Sequence, residues 1–151
     1  MRHFLIGSLV VFAACASHPP VTELPESSDP SVEISRVENK LKEAESMRQV
    51  DALSPKNFEE AKEALDEARK QREKRRSNKD ILYSVALADA YLTQAENSAK
   101  IGSDILPGVL KERKNAIAAS APVLQAEEFR AADIELRRTT RAIEAGDIAK
   151  A

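Results

Sequence analysis

The sequence has no tryptophan, and aromatic residues make up only 4% of its 151 positions. Its core must therefore be assembled from Ala, Leu, Ile and Val, which suits helices that approach closely over small side chains. There is one cysteine, Cys15. That excludes an intramolecular disulfide and a cysteine-based metal site. Histidine occurs only at His3 and His18, so the rest of the chain has none for a Cys-His or Ser-His nucleophilic arrangement. With four glycines there is no Gly-x-Gly-x-x-Gly or Walker-type phosphate loop. Neither sign of charge dominates: 23 Lys and Arg stand against 25 Asp and Glu, a formal charge of −2. A general nucleic-acid binder would show a basic excess. Acidic pairs such as Glu59-Glu60 and Glu127-Glu128 fall on polar helix faces and read as solvated surface. The expectation is a non-enzymatic chain with no cofactor, no metal and no nucleic-acid partner. What is abundant is Ala, Glu, Lys and Arg, with seven prolines placed mostly near the amino terminus or at apparent helix starts. This composition predicts an all-α protein.

The amino terminus has the plan of an export signal. Arg2 supplies a positive flank, and Phe4 to Ala14 form an apolar run of eleven residues. A spanning helix needs roughly 20, so the run reads as a signal and not as a transmembrane anchor. Phe12-Ala13-Ala14-Cys15 resembles a bacterial lipobox, with Phe12 where Leu, Val or Ile is usual. The resemblance implies cleavage before Cys15 and lipidation of its thiol. Two or more acyl chains anchor a protein stably, at about 0.8 kcal/mol per buried methylene. Ala16 and Ser17 follow the cysteine where inner-membrane lipoproteins commonly carry Asp, which implies an outer-membrane lipid anchor facing the periplasm. Residues 1–14 are thus expected as signal peptide, and residues 15–28 as the lipidated Cys and a Pro- and Ser-rich flexible linker. His18 is expected to be a solvated linker residue.

From residue 29 to 146 the pattern is helical. Asp29-Pro30 and Ser54-Pro55 each read as an N-cap with proline at the first helical position. Ile34, Val37, Leu41 and Ala44 form one stripe, continuing to Met47, with the helix ending near Asp51. Phe58, Ala61, Leu65 and Ala68 form the next. After a turn at 77–80, Ile81, Val85, Ala88, Leu92, Ala95 and Ala99 recur at three and four, and Tyr83, Leu87 and Tyr91 widen the arc. That width predicts a central helix with Gly102 as its stop. A connector at 105–108 leads to a shorter helix with Val109, Leu110, Ala116 and Ile117. Ala121-Pro122 then restarts the pattern, and a last long helix carries Phe129, Ala132, Leu136 and Ile143 to a stop at Gly146. Phe-x-x-Ala-x-x-x-Leu occurs from Phe58 and again from Phe129, which reads as a weak repeat of a helical hairpin. Residues 147–151 are expected to fray, or to continue in a longer protein. The predicted architecture is an elongated helical bundle or stacked hairpins, tetratricopeptide-like in spirit, although the helices are longer than that repeat allows.

Pro55, Phe58, Ala61, Leu65 and Ala68, followed by Ala88, Ala95 and Ala99, resemble a helical domain of unknown function found in bacterial envelope lipoproteins. The resemblance covers residues 47–100 and consists mostly of helix periodicity. In such proteins an OmpA-like peptidoglycan-binding domain often follows, and none is visible here. Two surfaces stand out. Arg69, Lys70, Arg72, Lys74, Arg75, Arg76 and Lys79 form a basic turn, a candidate contact for envelope polyanions or else compensation of a helix dipole. The stripe of Phe129, Ala132, Leu136 and Ile143 is a candidate partner face or else core. The expected function is a periplasmic scaffold or adaptor, bound to the membrane through Cys15 and to an envelope protein. The alternatives are a direct tether to peptidoglycan or polyanions, and an accessory subunit regulating an envelope enzyme.

Overall fold

The computed structural model describes residues 18–150. Among them all regular structure is helical, as the composition predicts. In chain order the helices are α1 (Pro30–Arg48), α2 (Val50–Leu53), α3 (Pro55–Glu73), α4 (Asn78–Ile105), α5 (Pro107–Ala118), α6 (Ala121–Leu124) and α7 (Ala126–Glu144). A 3-10 turn (Ile148–Lys150) follows. No described helix is long and apolar enough to cross a membrane.

The core is the three-helix unit α1, α3 and α4, with the α3–α4 hairpin as its most extensive contact. On these three helices the stripes read from the sequence face inward. Val37, Ala44, Ala61, Ala68, Val85, Ala88 and Ala95 are fully buried, and Leu65 and Leu92 nearly so. Alanines on both helices let the α3 and α4 backbones approach closely. α4 is central, touching α1, α2, α3, α5 and α7. At 28 residues it is about 42 Å long at 1.5 Å per residue.

The helix boundaries show local chemistry at work. Asp29 caps α1, its carboxylate accepting from the Ser31 amide at 2.8 Å. Gln49, at φ +51°, breaks the first helix sooner than expected and sets off the short α2. The turn after α3 falls at Lys74–Ser77, earlier than the periodicity predicted, because Arg75 takes a left-handed conformation (φ +52°). The Arg76 amide then reaches back to the Gln71 carbonyl at 3.0 Å, a Schellman closure without glycine. Gly146 does end α7, at φ +76° and with the same closure from Asp147 to Ala142. Gly102 does not end α4. It is buried inside the helix, where an added Cβ would meet Leu53 Cδ2 at 3.1 Å. Its role is close approach of α4 to α2.

Residues 18–28, expected as a free linker, lie as a strap along α4. His18 Nδ1 is 2.7 Å from the Tyr91 hydroxyl and the two rings meet edge to face, Pro19 is buried, and Leu24 packs against the core. The physical reason is the width of the apolar arc on α4. Leu82 and Ala86 border the strap and are only 2% and 4% exposed. The Phe58–Phe129 repeat does not build equivalent hairpins. Phe58 is in the core, whereas Phe129 is half-buried on α7, which packs across α2 and against α3 and α4.

Candidate functional site

α7 is docked by polar groups as well as apolar ones. Ser54 begins α3 but its side chain does not cap it. Glu144, from the end of α7, takes that place. Its carboxylate accepts from the Lys56 amide at 3.1 Å, the Asn57 amide at 3.0 Å and the Ser54 hydroxyl. A negative group on the first-turn amides is where the α3 dipole favours it. Thr140, fully buried, donates to the Ala52 carbonyl at 2.7 Å. Glu144→Ala is expected to cost about 1–2 kcal/mol, the range of a lost N-cap. Hydrogen exchange is the check: α7 amides should lose protection well before those of the α3–α4 hairpin.

Beside this joint lies an ionic network. Arg113 of α5 donates from Nε to Asp133 at 2.7 Å and from a terminal nitrogen to Gln49 Oε1 at 2.7 Å. Arg137 donates to Asp133 at 3.1 Å, to Asp51 Oδ2 at 3.0 Å and to the Asp51 carbonyl at 2.9 Å. Two arginines and two aspartates thus join α2, α5 and α7 with no net charge. Burial alone would raise the Asp133 carboxyl, but hydrogen bonds from Arg113 and then Arg137 outweigh it and hold the group below the usual aspartate range. Its folded pKa is depressed. The stability it lends is therefore complete above the ordinary aspartate pKa of about 4, and is lost as pH falls through the lower folded value. Asp89 follows the same rule, since Lys40 and Arg36 outweigh its burial. Melting temperature should fall on acidification, and Asp133→Asn should flatten part of that fall.

Arg113 and Asp133 of this network also line an apolar groove between α5 and α7. The groove has a volume of about 630 Å³, with Gly108, Val109 and Ala116 on one wall and Phe129, Ala132 and Leu136 on the other. The Arg113 guanidinium sits 6.0 Å from the Phe129 ring centre, a cation-π contact that fixes that wall. The arginine and aspartate side chains are only 13% and 16% exposed and are spent on each other. The groove therefore offers shape and apolar surface, with Arg113 and Asp133 neutralising each other and the Glu112 carboxylate also on its α5 wall. The apolar surface continues beyond it: Val123 and Leu124 on α6 are 80% and 76% exposed, and Ile134 on α7 is 57% exposed. Neither α5 nor α6 has a buried residue.

No family model matches this chain, and no curated protein or solved structure does either. The site is therefore read from its own residues.

The expected partner stripe divides in two. Phe129 and Ala132 line the open groove, Leu136 forms its floor at 7% exposure, and Ile143 is core at 5%. The second wall, on α5, carries Val109 and Ala116, two of the four apolar residues that mark the shorter helix in the sequence, and no local signal assigns that helix to a site. The basic turn also divides. Arg69 pairs with Glu38 and Asp66 and belongs to the α1–α3 contact. Lys70, Arg72, Lys74, Arg75, Arg76 and Lys79 are exposed at the hairpin tip. The 19 residues of α3 place the tip about 28 Å along the helix from the Glu144 joint at its first turn. Cys15 lies outside the described residues. Among those residues no group of three His, Cys, Asp or Glu side chains is arranged to hold a metal ion.

Proposed function

We propose that this chain is a non-enzymatic envelope adaptor, anchored to the outer membrane through Cys15, which receives an apolar helical segment of a periplasmic protein between α5 and α7. One observation carries this reading: a two-walled apolar groove between α7 and α5, the latter a helix with no buried residue of its own. A 12-residue helix with no buried residue, tied to the core only through half-buried Leu110, is marginal in water. A partner ridge laid between α5 and α7 would supply those contacts. The groove runs from Gly108 to Ala116, about 12 Å along the helix, or two turns of an incoming helix. Helix-in-groove recognition uses an apolar stripe of this length. The mutual pairing of Arg113 and Asp133 leaves the groove's surface mainly apolar, which favours an apolar occupant.

The exposed cations of the hairpin tip support a second reading, a tether to envelope polyanions. Salt separates the two, because exposed charges are screened beyond about 10 Å at 0.1 M. Affinity isolation of the mature protein from crosslinked cells should recover a discrete protein whose capture survives moderate salt and Arg75→Glu with Arg76→Glu. Recovery only with the insoluble wall, lost on both treatments, sinks the adaptor reading.

A further inference from the structure

The strap covers one side of α4. Its path along α4 is antiparallel: His18 lies against Tyr91, and Leu24 lies beside Lys79, Leu82 and Tyr83. It then turns into α1 through the Ser28 amide and the Pro25 carbonyl, 2.9 Å apart. Only Ala16 and Ser17 stand between Cys15 and the docked His18. Three Cα steps of 3.80 Å span at most about 11 Å.

We propose that the strap and the adjoining face of α4 form a membrane-facing side, held against the lipid headgroups by acylated Cys15, with the basic hairpin tip touching the same surface. The proposal rests on the reading of Cys15 as the lipid anchor. It goes beyond that reading by giving the anchored body one orientation. Tyr83 is 51% exposed on this side, and a tyrosine with an apolar ring and a polar tip suits the headgroup layer. Lys79 borders the end of the strap, and Arg75 and Arg76 precede it in the turn. Juxtamembrane cations each gain on the order of 1 kcal/mol from an anionic surface. Glu23 and Glu26 on the strap carry the opposite sign, so the ionic contact comes from the hairpin tip and the strap contributes the short leash. The orientation leaves the leash taut and the bundle lying close to the bilayer, with no free spacer.

The absence of tryptophan makes the test direct. Gln94→Trp and Val123→Trp each place one exposed reporter, the first beside His18 and the second on α6. The mature acylated proteins are reconstituted in phosphatidylglycerol-containing vesicles with brominated acyl chains, after mass spectrometry of the Cys15 peptide. The expected result is loss of most of the emission at position 94 and little loss at 123. Inserting about twelve Gly and Ser residues after Ser17, a span of roughly 20 Å, should restore the emission at 94. An acylated protein with equal quenching at both sites, stronger quenching at 123, or quenching at 94 unchanged by the insertion overturns the orientation alone. An unacylated Cys15 in mature protein taken from the envelope overturns the anchor reading and the orientation with it.

Discussion

Leu92→Ala is expected to destabilise the protein by about 2–5 kcal/mol, the largest stability effect of any single truncation described for this chain. Leu92 is 1% exposed at the middle of α4, between Ala88 and Ala95, both fully buried. The neighbours decide the magnitude. A core rich in alanine has few flexible side chains that can swing into a vacated space, so much of the cavity persists, and its cost adds to the lost transfer energy. Overall stability of a domain this size is about 5–15 kcal/mol, so the variant loses a substantial fraction. The melting temperature should fall on the order of 10 °C. Ile134→Ala provides the contrast. Ile134 is 57% exposed on α7, and its truncation should stay within about 0.5 kcal/mol. Thermal denaturation of the two variants side by side is the check. A small effect at Leu92 would mean that the α3–α4 interface is not the stabilising unit.

Charging the groove should have the opposite profile: near-complete loss of partner capture with an intact fold. Val109 is 48% exposed and Ala132 is exposed, and they line the groove from α5 and α7 respectively. Val109→Glu with Ala132→Glu places two carboxylates on helix positions that already meet water, so stability should shift by no more than about 0.5 kcal/mol per site. An apolar ridge entering the groove would bury those carboxylates without a cation, because Arg113 and Arg137 are already committed to Asp133 and Asp51. An uncompensated buried charge costs several kcal/mol, equivalent to a loss of affinity of a hundredfold or more. Val109→Leu with Ala132→Ser, which keeps the groove largely apolar and uncharged, should retain capture. Circular dichroism and crosslinking of the same preparations separate a folding defect from a docking defect.

Periodicity made the three-helix core legible before any coordinates. Ile34, Val37, Leu41 and Ala44 lie on one face because a helix turns every 3.6 residues, and that relation is local. The starts at Asp29-Pro30 and Ser54-Pro55 were legible for the same reason. Three features were not. Glu144 caps α3 from a position 90 residues away from Ser54, and nothing in the sequence near either residue announces the other. Gly102 looked like a stop because glycine relaxes the backbone, whereas here the missing side chain admits Leu53. The strap looked like a free linker because its prolines suppress helix, and proline content says nothing about whether an extended segment finds an apolar shelf. The groove was half legible. A helical stripe shows which residues share a face, and the cover on that face is decided by other elements. Leu136 and Ile143 are covered by the bundle, and Phe129 and Ala132 stay open because α5 stands beside them as a second wall.

The central claim is that the α5–α7 groove receives an apolar segment of another envelope protein. Site-specific photocrosslinking in living cells tests it most directly, with the photoreactive residue at Ala132 in one strain and at Glu67, an exposed position on α3, in another. The account predicts a discrete protein adduct from position 132, absent from position 67 and lost when Val109→Glu is added. Equal labelling at the two positions, or adducts at 132 that persist with Val109→Glu, would contradict it.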